Sequence, residues 1–374
     1  MNSTETVRIA IVASLFPTVS ETFVMNHATG LMDLGFEVDV YAFGREKLSD
    51  YGHKSLDDYR LLDRLTYLPR CLEGSLEVGR MLRRGYAAIH CHFGEVAERL
   101  APLKSALPET HFAVTFHGRD LRQAKQSAQS YGRTFDAFDS VVSICSYNTA
   151  RLRALGCPQS KVVCLPNAVD SARFCATART RGEVLNIASV ARLHPDKNLA
   201  LALRVMKRLA QNGVDFHYSI AGHGRMHDEL QGLIQDYGLS RHVTLLGQCS
   251  QEEVVKLLQK SDVFLLSSSA EAAPVCVLEA QSMELPVVAT RVGGVAELVA
   301  DGEAGLLVAP DDEKALETAL RRLANDPHLM SRMGRKGREN ILKTHDHKAQ
   351  INRLAHLYQL ATVRNIGDYP SCNR

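Results

Sequence analysis

Residues 267–312 read SSSAEAAPVCVLEAQSMELPVVATRVGGVAELVADGEAGLLVAPDD. They follow the apolar run DVFLLS, 262–267, which has the length and continuity of a buried strand. Pro274 suits the first turn of a helix, and Val275, Leu278, Ser282 and Leu285 recur at helical spacing as a packed face. The order expected is strand, short loop, then a helix opening near Pro274. Glu271 stands in that loop and Glu279 about one turn inside the helix. Between them the backbone N–H groups of Ala272, Ala273, Val275 and Cys276 lie where a helix start leaves donors unpaired and receives an anion. Carboxylates for hydroxyls on either side of a cradle for phosphate suit a sugar nucleotide. The alternative is two surface glutamates flanking an ordinary strand-to-helix joint.

Strand-like apolar runs alternate with helical patterns on both sides of this segment. The first half carries IAIVASL, FEVDVYAF, AAIHCHF, HFAVTF, SVVSIC and KVVCL; the second carries VLNIASV, FHYSIAG, HVTLLG, DVFLLS, PVVAT and GLLVA. Gly35 and Gly156 close the helices predicted over 21–34 and 146–155. Strands alternating with helices of this length imply parallel sheets covered on both faces. Two such series of about six strands predict an α/β protein of two doubly wound, Rossmann-like domains. Periodicity lapses over 167–184. The expected organisation is a first domain at 1–175, a second at 176–345, and a last helix within 346–374 with Ile351, Leu354, Tyr358 and Ala361 along its apolar side.

Other polar groups gather where predicted strands end. In ASVARLHPDKNLA, Arg192 and Lys197 follow a strand and precede a helix, a place suited to a pyrophosphate; two solvated surface charges are the plainer reading. VTFHGRDL puts His117 at a strand end, with Asp120 beside it as a site residue or as a cap of the next helix. IAGHGRMHDEL has turn glycines, Gly222 and Gly224, but is only a fragment of a dinucleotide fingerprint. Gln248 lies in the loop after HVTLLG. In HCHF, strand alternation sends His90 and His92 to one face and Cys91 to the other, so the three do not converge on a metal. Ser20 is the expected cap of the first helix.

The composition is that of a globular chain: 374 residues, 45% hydrophobic, 23% charged, net charge +2 with the charges spread evenly along the sequence. No basic arm or aromatic-and-basic ladder points to nucleic acid. Nine cysteines, among them Cys71, Cys91, Cys145, Cys164 and Cys276, have no repeated spacing and read as reduced thiols of a cytoplasmic protein. No run approaches the roughly 20 apolar residues of a membrane span, and VRIAIVASLF reads as a first strand and not as a signal peptide. In RMLRRGY, Arg80, Arg83 and Arg84 form either a contact for anionic lipid at the inner membrane face or a plain solvated helix face.

The Glu271-to-Glu279 segment resembles the Glu-x7-Glu signature of the retaining family-four glycosyltransferases of the GT-B fold, and PVVATRVGGVAELV and AGLLVAPDD follow in that family's order. SETF, HCHFG and FHGRD resemble the branch that builds bacterial exopolysaccharides, including colanic-acid-type transferases. The resemblance implies two domains facing a central cleft and a last helix that crosses back to the first domain. It implies that Glu279 binds ribose, that Glu271 and His117 meet the transferred sugar, His117 near its primary hydroxyl, and that Gln248 lies beside the base. The loop Ala272, Ala273, Pro274, Val275 and Cys276 would line the sugar and pyrophosphate. Arg192 and Lys197 would take the place of a divalent metal, so that no metal or cofactor is needed beyond a nucleoside-diphosphate sugar, UDP-linked by expectation. The acceptor implied is a glycan or a lipid-linked oligosaccharide. The chain departs from the family in three places: it has no Gly-Gly pair in the first strand-to-helix crossing, and Asn198 and Glu284 stand where glycine is usual. The rivals are a sugar-nucleotide epimerase of the same fold, a non-catalytic nucleotide-sugar-binding subunit and, weakest, an NAD-linked dehydrogenase.

Overall fold

A computed structural model describes residues 7–362, apart from 19–20, 47–53, 73–75, 125–129 and 178–181. The first sheet contains β1 (Arg8–Ala13), β2 (Glu37–Ala42), β3 (Leu65–Tyr67), β4 (Ala88–His92), β5 (His111–Phe116), β6 (Ser140–Ser143) and β7 (Val162–Cys164). Its order is β3-β2-β1-β4-β5-β6-β7, and every pairing is parallel. The short β3, from LTY, was not among the expected strands; three residues are too few to show a periodicity. The second sheet contains β8 (Leu185–Val190), β9 (Phe216–Ala221), β10 (Val243–Gly247), β11 (Val263–Leu266), β12 (Val287–Thr290) and β13 (Gly305–Val308), in the parallel order β10-β9-β8-β11-β12-β13.

In both sheets the order reverses beside the first strand, between β1 and β4 and again between β8 and β11. A reversal leaves a crevice at the carboxyl ends of the two strands, because their connections leave over opposite faces. Both sheets are buried on their two faces, as parallel sheets must be. Along β1, Ile9 and Ile11 enter one apolar cluster while Ala10 and Val12 enter another on the opposite side.

The chain divides into Met1–Asn167 with Lys348–Arg374, and Ala168–His347. Residues 168–175 join the second unit because the Phe174 carbonyl accepts from the Ser282 hydroxyl at 2.7 Å and Val169 N–H donates to the His345 carbonyl at 3.0 Å. The last helix, His347–Thr362, packs in the first unit, with Ile351, Leu354 and Tyr358 in the cluster that holds Ile9 and Ile11. Gly30 makes room for it: a Cβ there would lie 2.6 Å from Ile351. The Ala361 side chain and Ser20 fall outside the described residues; the first helix, Thr22–Asp33, begins after Glu21, which makes no side-chain cap bond.

Among the described residues seven cysteines are free thiols. Cys164 is disulfide-bonded, against the expectation of reduced thiols throughout. Of the three arginines in RMLRRGY, Arg84 pairs with the Asp39 carboxylate at 2.7 Å, whereas Arg80 and Arg83 are exposed. Among the described residues no helix is long and apolar enough to cross a membrane.

Candidate active site

In the second domain the loop after β8 and the loop after β11 are sewn together. Ser269 donates both its backbone N–H and its hydroxyl to the Asp196 carbonyl, at 2.9 and 3.2 Å. The Ser267 hydroxyl donates to the Lys197 carbonyl at 3.1 Å. These bonds bring Lys197 Nζ to 2.6 Å from Glu271 Oε1, which also accepts from the Ser268 hydroxyl at 2.7 Å. Glu271 is only 7% exposed, so the ion pair and the Ser268 bond supply the partners that a buried carboxylate needs. Ser268 is a site residue that the sequence reading missed; within SSSAEAAP nothing distinguishes it from its two serine neighbours.

Gly222 and Gly224 hold the same loop from the other side. A Cβ on Gly222 would fall 1.8 Å from the Ala191 carbonyl oxygen and one on Gly224 2.4 Å from that of Leu193. Both have positive φ, 143° and 153°. Their purpose in this fold is the close approach of the β9 turn to the Arg192 loop, sealed by Leu193 N–H donating to the His223 carbonyl at 2.9 Å. The Arg192 side chain is exposed and has no hydrogen bond or ion pair among the described residues. Gln248 is likewise exposed, just beyond the carboxyl end of β10.

The helix after β11 spans Val275–Ser282, with Pro274 as its N-cap and no side-chain cap bond. Val277 N–H closes back to the Pro274 carbonyl at 3.1 Å, while the N–H groups of Val275 and Cys276 have no bond among the described residues, as expected of first-turn donors. Ala272, Ala273 and Pro274 are buried in the loop beneath them. Glu279, one turn on, has no side-chain hydrogen bond among the described residues, and burial pushes its carboxyl up to about 7. The Cys276 thiol is also pushed up, first by burial and then by the Glu271 charge. Lys197, Glu271, Glu279 and the two first-turn amides thus belong to one neighbourhood at the switch point between β8 and β11.

In the first domain His117 follows β5, but its surroundings were not foreseen. Its Nε2 lies 3.0 Å from His92 Nδ1 at the end of β4. The Phe23 ring stacks on it at 3.9 Å and 20°, and Phe93 lies at 4.8 Å. Beneath them His90 stacks on His92 at 5.0 Å and 11°, and His27 lies 5.2 Å from His92. His90 bonds the Thr115 hydroxyl at 2.7 Å through Nε2 and the Tyr358 hydroxyl through Nδ1. Burial, together with the neighbouring rings, depresses His90, His92 and His117 well below the ordinary imidazole range, so all three are neutral. The expectation that Cys91 faces away from the two histidines is met, since Cys91 enters the opposite cluster.

Asp120 does more than cap a helix. Its buried carboxylate accepts from the N–H groups of Gly94 at 3.1 Å, His117 at 3.3 Å, Gly118 at 2.8 Å and Leu121 at 3.0 Å, tying the turn after β4 to the turn after β5. Burial outweighs these bonds and lifts its carboxyl to about 6. The tie holds Phe93 at φ 76°, costly for a bulky side chain. Gly94 is required next to it, because a Cβ would sit 2.4 Å from Phe116 and 2.6 Å from Tyr131.

Two family models divide the chain: the glycosyltransferase family 4 model matches residues 20–173 and the glycosyl transferases group 1 model matches residues 178–340. The amylovoran biosynthesis glycosyltransferase AmsK of Erwinia amylovora is 30% identical over 83% of this chain and 88% of the relative. WcaL of Salmonella typhimurium, described as a colanic acid biosynthesis glycosyltransferase, is 28% identical over 92% of this chain and 97% of the relative. Among solved structures, Anabaena HepE in complex with UDP-glucose superposes with a TM-score of 0.79 at 15% identity, covering 94% of this chain and 99% of that one. Sucrose-phosphate synthase from Thermosynechococcus elongatus superposes with a TM-score of 0.78 at 19% identity, covering 96% and 100%. With both halves matched by family models and a relative at 30% identity along most of its length, the chain belongs to the group 1 and family 4 glycosyltransferases of the GT-B fold.

Proposed function

We propose that the protein is a retaining, metal-independent glycosyltransferase that moves a hexose from a nucleoside-diphosphate sugar, UDP-linked in the first instance, to a glycan or lipid-linked acceptor in exopolysaccharide synthesis. The observation that carries this reading is the pairing of Lys197 with Glu271 at 2.6 Å in the same loop system as the unpartnered Arg192 guanidinium and the unbonded amides of Val275 and Cys276. Breaking the bond between sugar and phosphate develops negative charge on the departing diphosphate. Fixed cations and amides stabilise that charge without having to reorganise, which is the largest electrostatic contribution such a site makes. Arg192 and Lys197 hold the diphosphate, Glu271 and His117 meet the transferred sugar, Glu279 takes the ribose hydroxyls and Gln248 borders the base. A phosphate oxygen on the same face of the sugar receives the acceptor's proton. The roles of AmsK in amylovoran synthesis and of HepE as a protein solved with UDP-glucose support the substrate class.

Purified protein assayed with UDP-, GDP- and ADP-sugars tests the reading. Slow donor hydrolysis or transfer is expected to persist in chelator and to collapse in Arg192→Ala, Lys197→Ala and Glu279→Ala. Full turnover in all three variants, or complete inhibition by chelator, refutes it. Analysis of the released sugar separates transfer from epimerisation.

A further inference from the structure

We infer that Ser268 is a positioning residue for Glu271: its hydroxyl fixes the plane of the carboxylate and leaves one of the two oxygens free for the transferred sugar. The inference rests on the proposed contact between Glu271 and that sugar. Residues 267–269 are three serines in a row, and their hydroxyls have different tasks. Ser267 donates to the Lys197 carbonyl at 3.1 Å and Ser269 to the Asp196 carbonyl at 3.2 Å, so both serve the backbone of the loop after β8. Ser268, between them, turns the other way and donates to Glu271 Oε1 at 2.7 Å. It is 1% exposed, so its hydroxyl is committed to the protein and not to solvent. Thr290 on β12 anchors it in turn, donating its own hydroxyl to the Ser268 carbonyl at 2.5 Å.

Both bonds to Glu271 arrive at the same oxygen: Lys197 Nζ at 2.6 Å and the Ser268 hydroxyl at 2.7 Å meet at Oε1. Oε2 accepts no hydrogen bond among the described residues and is not enclosed. A carboxylate oxygen has two acceptor sites, so Oε2 is the atom open to a sugar hydroxyl. Lys197 cannot fix this arrangement alone. An ammonium on a flexible four-carbon stem is a point charge with rotatable donors and sets no plane. It is also the group that the departing diphosphate draws toward itself in the proposed reaction. Ser268 has a short side chain, an anchored backbone and no charge for the diphosphate to attract, so it keeps Glu271 in place as the Lys197 bond slackens. The labour is thereby divided: Lys197 answers to the diphosphate, and Ser268 matters only where a sugar is attached to it.

The test is calorimetric binding of UDP-, GDP- and ADP-glucose, and of the corresponding free diphosphates, to the full chain. With the nucleotide sugar that the wild type binds, Ser268→Ala and Ser268→Cys are expected to lose about tenfold in affinity, the cost of one hydrogen bond to a charged group. Affinity for the free diphosphate is expected to stay at the wild-type value, which a merely loosened loop would not allow. The thiol keeps the volume of the side chain but is a weak donor, so the two variants should agree. In Glu271→Ala the carboxylate is gone, and adding Ser268→Ala should cost nothing further. Equal losses for nucleotide sugar and free diphosphate, no loss for the nucleotide sugar, or additive losses in the double variant overturn the inference. Wild-type affinity of Glu271→Ala for the nucleotide sugar would instead remove the sugar contact of Glu271 itself. Failure of the wild type to bind any of the three nucleotide sugars removes the donor reading and this inference together.

Discussion

The two switch points of the molecule are built from different materials. Between β8 and β11 the polar groups are charged: a lysine on a glutamate, a free arginine, and a second carboxyl raised by burial. Between β1 and β4 neutral imidazoles are stacked on one another and on Phe23, and the one cation beside them, Arg119 over the Phe93 ring, is shared by Glu21 and Glu95 at 3.7 and 3.5 Å among the described residues. Charges in a crevice bind charged ligands strongly but need partners while they wait. Neutral rings need only hydrogen bonds, at the cost of a weaker grip. The second arrangement suits a surface that orients hydroxyls, and the first a surface that holds a diphosphate.

Removal of Lys197 strikes hardest at the charged region. Lys197→Met is expected to lower turnover by about 10²–10³-fold, the effect of losing one preorganised electrostatic contact. It should also destabilise the fold by about 3 kcal/mol, because Glu271 is left buried without its counter-charge. Lys197→Met with Glu271→Gln should recover most of the stability and none of the activity. Arg192→Ala, at an exposed side chain, should cost activity with stability changed by less than about 0.5 kcal/mol. Urea melts beside donor-turnover assays of the four proteins give both readouts.

Glu279 offers a subtler test, because its carboxyl titrates near neutrality. Only the ionised form accepts two ribose hydroxyls well, so with a pKa of about 7 KM for the donor should rise about tenfold from pH 8 to pH 6. For stability the sign is reversed. The folded-state pKa is raised, so the contribution is fully present below the ordinary glutamate value of 4.5 and is lost as pH rises through about 7. Glu279→Gln should flatten both profiles. On the imidazole side Tyr358→Phe, which strips His90 Nδ1 of its partner, should cost about 1–2 kcal/mol and leave the donor's pH profile unaltered. A shifted profile in that variant would mean that the two switch points are electrostatically linked.

These two regions were unequally legible in the chain. The charged one is local: Glu271, Pro274 and Glu279 fall within nine residues, and the strand before and the helix after have strong periodicities, so a single stretch reveals the arrangement. The pairing of Lys197 with Glu271 spans 74 positions and needed the strand order, which no window of sequence contains. The imidazole region is assembled from four separate segments, the helix Thr22–Asp33, the ends of β4 and β5, and the last helix. Alternation in HCHF did place His90 and His92 on one face, but His27 and Phe23 have neutral neighbours and no motif chemistry to mark them. The four amide bonds of Asp120 were hidden for the same reason: a carboxylate two residues into a short helix looks like a cap until the turn after β4 is laid against it.

Two departures from glycine carry the smallest expected effect and separate stability from chemistry. Asn198 and Glu284 were singled out where the related family usually has glycine, and both turn out to have left-handed backbones, φ 46° and 59°. Asn198 occupies the N-cap of the helix Leu199–Gln211, but its side chain makes no cap bond; it reaches Asp311 Oδ1 at 2.8 Å instead. Asparagine tolerates this conformation and glutamate does so poorly. Glu284 closes the helix whose first turn holds the unbonded amides, and its carbonyl is pressed by Gly334, where a Cβ would lie 2.0 Å away, so the backbone there cannot relax. Glu284→Gly should therefore stabilise the protein by about 1 kcal/mol, read as a raised denaturation midpoint at constant m-value, while Asn198→Gly should change it by less. Turnover should be unaltered in both, because the far end of the helix is relieved and the first-turn donors are untouched. A change in kcat with Glu284→Gly would mean that backbone strain at the helix end is transmitted to the charged switch point, making that region less rigid than the stacked imidazoles.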